Sequence, residues 1–280
     1  MNMMRIVVLA DDRKISSDLQ TEHGLSVYIE TDQYKILLDT GASDIFIQNA
    51  KKLDVNLQAV DYVFISHGHS DHIGGLSYFL ELNTKAKIIM SPAIQYQSYF
   101  SNRDGLHSIS TSIDFNAYYD RIIFVEKELS IANEIEIYSN QSTKYAPPLG
   151  NKNLFRKEKN GELISDDFNH ELIFTIGKEK LLVYTGCAHN GLQNILETVK
   201  ANTSTPICWI VGGFHLLTSQ KGISYESKSE IIAIGNSLLT KYPNTIFFTG
   251  HCTGKNEFLT LSQILTNHLF HFYCGYSKNL

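Results

Sequence analysis

The chain has 280 residues, 43% hydrophobic and 19% charged, with a formal net charge of −5. That balance fits a globular protein with a sizeable core, and with no basic stripe it points away from nucleic acid and from anionic membranes as partners. No stretch approaches the roughly 20 apolar residues that cross a bilayer, and the run Ile6–Ala10, closed by Asp11 and Asp12, is too short for a signal-peptide core, so a cytoplasmic protein of one domain over residues 1–280 is expected.

In chain order, Met4–Ala10, Leu25–Glu30 and Tyr34–Asp39 read as short strands separated by polar turns. Asp44–Leu53 carries Ile45, Phe46, Ala50 and Leu53 at the spacing of one helical face. Tyr62–Ile65 is a further strand, followed by a histidine-rich segment, a helix from Gly74 to about Leu82 and a strand at Ala86–Met90. Residues 92–170 are polar and rich in Ser, Asn, Asp and Tyr, with strand candidates only at Arg121–Val125 and Glu134–Tyr138. They read as an irregular insertion, either a lid over a site or a surface excursion. Beyond it, Leu172–Ile176 and Lys180–Tyr184 form a hairpin around Gly177, then a helix at Gly191–Lys200, a strand at Ile207–Val211, a helix at Glu226–Tyr242, a strand at Thr245–Thr249 and a helix at Gly254–Thr266. Strands interleaved with helices at this spacing predict an α/β sandwich with an insertion between its two halves.

The chemistry concentrates in Ser66-His-Gly-His-Ser-Asp-His-Ile-Gly-Gly75, directly after a strand. Strand ends deliver side chains to a sheet edge where loops converge. Neutral imidazole suits Zn, Fe or Mn, and a carboxylate adds the charge that holds a second cation. His67 and His69 alternate and so face one ion, while Asp71 and His72 turn toward a neighbouring one. Two ions need more ligands than this segment supplies. The candidates are His170, His189, His215 and His251, with His189 and His251 preferred because each follows a strand and a glycine turn. His215, after the strand Ile207–Val211, reads as a substrate-contacting or simply buried histidine. The cysteines are Cys187, Cys208, Cys252 and Cys274, without a C-x-x-C pair. Cys208 and Cys274 sit in apolar or aromatic runs and read as core, whereas Cys187 and Cys252 adjoin the histidine motifs.

His67-x-His69-x-Asp71-His72 after a hydrophobic strand resembles the signature of the metallo-β-lactamase superfamily, whose fold is an αββα sandwich. Leu37-Leu-Asp-Thr-Gly41 resembles its first motif, which implies that Asp39 braces the metal loops without binding metal. Gly250-His251-Cys-Thr-Gly254 resembles its last histidine motif. In many members a bridging aspartate stands where Cys187 falls here, so Cys187 is either a thiolate ligand or a packed apolar residue. Together with Glu22-His-Gly-Leu-Ser26, Thr185-Gly-Cys-Ala-His-Asn-Gly191 and Gly212-Gly-Phe-His-Leu216, the motifs resemble the family named for 7,8-dihydropterin-6-yl-methyl-4-(β-D-ribofuranosyl)aminobenzene 5′-phosphate synthase.

The resemblance implies an enzyme with two divalent metal ions, Zn first and Mn or Fe as alternatives. It would act as a hydrolase, or a pyrophosphate-releasing transferase, on a small phosphorylated molecule, pterin-like or otherwise. The expected ligands are His67, His69, Asp71, His72, His189 and His251. Asp71 and Asp39 are the expected catalytic residues, with Asp71 also steering the attacking water's proton. His23 and His215 are expected to contact substrate, and Lys255, beside the His251 loop, is placed to meet a phosphate or to be a plain exposed helix-start lysine. The rival classes are a metal-dependent nuclease, which the acidic balance disfavours, and a redox or non-catalytic metal protein. Diiron relatives of the second kind carry glutamate where this chain has His69.

Overall fold

A computed structural model of the chain describes residues 4–132, 134–158, 160–219 and 224–280. The first half runs β1 (Arg5–Ala10), β2 (Ser26–Glu30), β3 (Lys35–Leu38), α1 (Ile45–Lys52), β4 (Tyr62–Phe64), α2 (Ser70–Ile73), α3 (Leu76–Leu82) and β5 (Lys87–Met90). The middle contributes β6 (Ser98–Ser101), β7 (His107–Ser108), β8 (Ile122–Phe124), β9 (Glu128–Ile131), β10 (Ile135–Ser139), β11 (Leu154–Lys157) and β12 (Leu163–Ser165). The second half runs β13 (Leu172–Ile176), β14 (Leu181–Tyr184), α4 (Leu192–Asn202), β15 (Ile207–Val211), α5 (Lys228–Lys241), β16 (Ile246–Thr249), α6 (Lys255–Leu265), β17 (Leu269–His271) and β18 (Ser277–Asn279).

Two seven-stranded sheets, ordered β18-β1-β2-β3-β4-β5-β8 and β17-β16-β15-β14-β13-β10-β9, repeat one plan. Each has an antiparallel part built from hairpins and a parallel part reached through helical crossovers, β3-β4-β5-β8 in one and β14-β15-β16-β17 in the other. The central strands bury both faces, which is why their sequences read as continuous apolar runs rather than alternation. Phe64, Phe174, Tyr184, Val211 and Phe248 pack between the sheets. Phe46 and Phe79 fill the layer under α1 and α3, and Ile195, Leu238 and Leu261 the layer under α4, α5 and α6. The result is the expected αββα sandwich.

Two local expectations change. Residues 92–170 are not one irregular insertion: β8 extends the first sheet, β9 and β10 extend the second, and β6, β7, β11 and β12 form a separate antiparallel sheet ordered β12-β11-β6-β7. Ile135 and Ile137 of β10 lie in the central core. Strands of two to five residues with one covered face leave too few positions for a periodic signal, which is why most of this region reads as loop. The helix expected from Gly74 begins at Leu76, and a separate helical turn, α2, runs through Ser70–Ile73 inside the histidine segment. No helix among the described residues is long and apolar enough to cross a membrane.

Candidate metal centre

The loops that follow β1, β3, β4, β14, β15 and β16 converge at one edge of the sandwich, where carboxyl ends of strands commonly present functional groups. They carry Asp12, Asp39, the histidine segment, Cys187 with His189, His215 and His251 respectively. Asp39, Ala188, His215 and His251 all adopt left-handed backbone, at φ 57°, 62°, 50° and 39°. Such conformations cost about 1–3 kcal/mol each and persist where surrounding structure enforces them, characteristically at functional sites. Gly186, at φ 56°, could not be replaced, because a Cβ there would lie 2.3 Å from the Ser66 hydroxyl.

Two groups of donors form. The ligand atoms of His67, His69 and His189 lie within 4.8 Å of one another, and so do those of Asp71, His72, Cys187 and His251. Cys187 also groups with His189 and His215, so its sulfur stands between the two sets. The extended stretch through His67 and His69 followed by the α2 turn sends Asp71 and His72 to the second set. Asp71 Oδ2 is 3.2 Å from His251 Nε2 and 3.7 Å from His72 Nε2.

Hydrogen bonding determines which imidazole nitrogens face inward. Asp39 accepts from the Ser66 amide at 2.7 Å, the Ser66 hydroxyl at 2.6 Å, the Tyr184 hydroxyl at 2.7 Å and His72 Nδ1 at 2.6 Å. The Ser66 proton is spent on Asp39, so its oxygen accepts from His67 Nδ1 at 2.9 Å. Asp12 accepts from His251 Nδ1 at 2.8 Å, and the Asn151 carbonyl from His189 Nδ1 at 3.2 Å. Each ring therefore turns its Nε2 inward, where it binds a cation once unprotonated. His67 Nε2 meets His189 Nε2 at 3.3 Å, and His72 Nε2 meets His251 Nε2 at 3.2 Å. Two nitrogens bound to one tetrahedral zinc stand about 3.3 Å apart, and facing nitrogens at that distance need a proton or a metal cation between them. The donor set fits divalent metal.

Charge follows the same division. Burial, reinforced by His72 and His69, holds His67 well below the usual imidazole range, and burial lowers His69 to about 4. His189 is held low by burial and by His215. These three rings are neutral donors. Burial alone would lower His251, but hydrogen bonds to Asp12 and Asp71 outweigh it and raise it well above the ordinary value. Asp71 would be raised by burial, yet His72 and the His251 hydrogen bond keep it ionised.

The centre opens into a cavity of about 690 Å³. His23, His69, Asp71, His189, His215 and His251 face it from the sandwich, and Ser101, Arg103, His107, Ile109 and Leu154 from the added sheet and its turns. His23 sits between Asp12 Oδ2 at 3.1 Å and Asp71 Oδ2 at 3.4 Å, with much of its side chain exposed. The His215 ring is 4.1 Å from that of His189 and accepts a hydrogen bond on Nε2 from Arg103 at 3.1 Å. All the residues singled out in the motifs therefore meet here. Lys255 does not: it is exposed at the start of α6 and does not line the cavity. His170 lies behind the first set, where its Nδ1 accepts from the Gly68 amide at 3.0 Å and Nε2 reaches Asp166 at 3.2 Å, which props the loop carrying His67 and His69.

Several contributors stand outside the motif reading. Asp12 and Asn151 orient His251 and His189, and Asp11 accepts from the His251 amide at 2.8 Å. Glu171 accepts from the His189 amide at 2.7 Å, its carboxyl pushed by burial to about 7 against those amide bonds. The pair Asp11-Asp12 at a strand end was the available signal for two of them.

The profile of the metallo-beta-lactamase superfamily matches residues 20–143. The solved structure of Tm1679, described as a metal-dependent hydrolase of the beta-lactamase superfamily, is 30% identical, with 99% of each chain covered and a TM-score of 0.81. A Methanocaldococcus jannaschii protein named 7,8-dihydropterin-6-methyl-4-(beta-D-ribofuranosyl)-aminobenzene-5'-phosphate synthase is 27% identical over 270 residues, covering 90% of this chain and 88% of its own. An uncharacterised protein of the same organism is 27% identical over 266 residues, 94% of each chain. With its αββα fold and convergent donor loops, this chain belongs to the metallo-β-lactamase superfamily, as a metal-dependent hydrolase.

Proposed function

We propose that the chain hydrolyses a small phosphorylated substrate at a dinuclear centre. His67, His69 and His189 hold one divalent cation, Asp71, His72 and His251 the other, and Cys187 lies between them. The observation that carries this reading is the pair of inward-facing nitrogen contacts, 3.3 and 3.2 Å, in adjacent sets facing one cavity. Zinc suits neutral imidazole with a thiol nearby, and manganese or iron are the alternatives. When bound, such a pair supplies Lewis-acid polarisation and a nucleophile at neutral pH.

The chain's own groups do the positioning. Asp39 fixes the His72 tautomer through its 2.6 Å contact with Nδ1, and Asp12 does the same for His251. Asp71 Oδ2, within 3.4 Å of His23 Nε2, steers the proton of the attacking water toward the cavity side. His23 and His215 form the walls against which substrate rests. A volume of about 690 Å³ suits a metabolite-sized molecule rather than a polymer. Pyrophosphate-releasing transfer is the second reading, favoured by the synthase relative that aligns over 90% of this chain.

The test is elemental analysis of purified protein beside His67→Ala and His251→Ala, with chromogenic phosphomonoester, phosphodiester, ester and lactam substrates under Zn²⁺, Mn²⁺ or Fe²⁺. Each variant is expected to lose metal and phosphoester turnover. Unchanged metal in both would sink the centre, and turnover confined to the phosphodiester would replace the substrate class with that of a nuclease.

A further inference from the structure

The cavity holds an element that the metal chemistry does not use. Arg103, on the turn between β6 and β7, is the one lysine or arginine among its described lining residues. Its terminal nitrogen donates to His215 Nε2 at 3.1 Å, its Nε is buried without a hydrogen-bond partner, and it forms no ion pair among the described residues. Its neighbour Asp104 is engaged instead with His107, at 3.5 Å. A guanidinium carries five donors and a permanent charge. Held half-buried against a cavity wall with one donor satisfied by a neutral ring, it presents a planar fork suited to an oxyanion.

Its place relative to the centre is set by a short relay. His215 lies between Arg103 and His189, with ring centroids of the two histidines 4.1 Å apart. Arg103 is therefore one imidazole away from the first donor set, on the wall supplied by the added sheet. Tyr225 lines the same cavity, with its hydroxyl accepting from Asn153 at 2.8 Å and Lys152 5.0 Å from its ring centroid. The cationic group thus enters from the added sheet, while Tyr225 and the metal-ligating side chains enter from the sandwich.

We infer that Arg103 is the specificity-determining anion anchor of this cavity, gripping a phosphate-type oxyanion of the substrate beside the metal centre. This rests on the phosphorylated-substrate reading above. Removing charge-assisted hydrogen bonds of this kind costs about 10- to 100-fold in affinity. Lysine keeps the charge but loses the fork, so Arg103→Lys falls between Arg103→Ala and the parent.

The experiment measures binding of phenylphosphonate to metal-loaded protein by isothermal titration calorimetry for the parent, Arg103→Ala and Arg103→Lys, with metal content determined on each. The expected result is binding at least about tenfold weaker in Arg103→Ala, intermediate in Arg103→Lys, with metal content unchanged. Equal affinity in parent and Arg103→Ala overturns the inference. So does weaker binding that comes with metal loss, because Arg103 would then act only by propping His215. A kinetic arm compares p-nitrophenyl phosphate with p-nitrophenyl acetate: Arg103→Ala is expected to raise KM for the phosphate far more than for the acetate, and equal rises count against the anchor. If Arg103 governs phosphonate binding but no phosphate ester is turned over with any of the metals, the proposed reaction fails while the anchor stands.

Discussion

The two donor sets grow from one six-residue stretch, His67 to His72, yet they are braced by different chemistry. His67 and His189 lean on a hydroxyl and a carboxamide, Ser66 and Asn151, while His69 has a carboxylate nearby, Asp166 at 3.6 Å. His72 and His251 lean on carboxylates, Asp39 and Asp12, and share their set with Asp71. A carboxylate behind an imidazole raises its basicity and fixes its tautomer more firmly than a neutral partner does. If the two sets hold cations as proposed, the carboxylate-braced set is expected to be the tighter site and the histidine-only set the weaker. Chelator titration is expected to empty the histidine-only set first, in two resolved steps.

The largest effect is expected from removing a ligand. His67→Ala should lose about one metal equivalent while the carboxylate-braced site stays filled, and His251→Ala should show the reverse pattern. Inductively coupled plasma analysis decides it, and loss of both metals from either variant would break the distinction between the sets. Next, Asp39→Asn should weaken the second site about 10- to 100-fold and lower unfolding free energy by about 1–3 kcal/mol, because a buried acceptor of four hydrogen bonds is compromised. Competition with a chromophoric chelator and urea denaturation measure the two parts.

Cys187→Ala sharpens the comparison from the middle. Cobalt-substituted protein should show a sulfur-to-metal charge-transfer band in the near ultraviolet, and the variant should lack it while keeping both cobalt ions. A parent protein without that band would mean that the thiol only packs. The smallest effect is expected for Asn151→Ala, which removes two neutral hydrogen bonds to His189, one at Nδ1 and one at its backbone carbonyl, and should weaken only the first site, by about 2- to 10-fold.

The frame of the sandwich and the heart of the centre were legible because their signals are local. Ile207–Val211 is an uninterrupted apolar run and forms β15 within those limits. His67, His69, Asp71 and His72 announce themselves by spacing alone. What escaped depends on distant chain segments meeting. Asp12 gains its role only when its strand end reaches His251, and Arg103 only when the β6–β7 turn closes on His215. The α2 turn escaped for another reason, since four residues offer no helical periodicity. Cys187 was ambiguous because one residue type serves both as ligand and as packing, and the cobalt spectrum is what separates those roles.

The bond between Asp12 and His251 joins residues 239 positions apart, and β1 itself is flanked by β18 from the other end of the chain. During synthesis, the histidine segment is made well before His251, which follows His72 by 179 residues. A nascent chain can thus display His67, His69 and His72 long before His189 or His251 exist to complete either set. On the proposed dinuclear reading, full-affinity metal capture is expected to be a late event, coupled to closure of the C-terminal half onto the N-terminal strand. Truncation near residue 250 would yield a chain that keeps the most recognisable motif and lacks the second metal site.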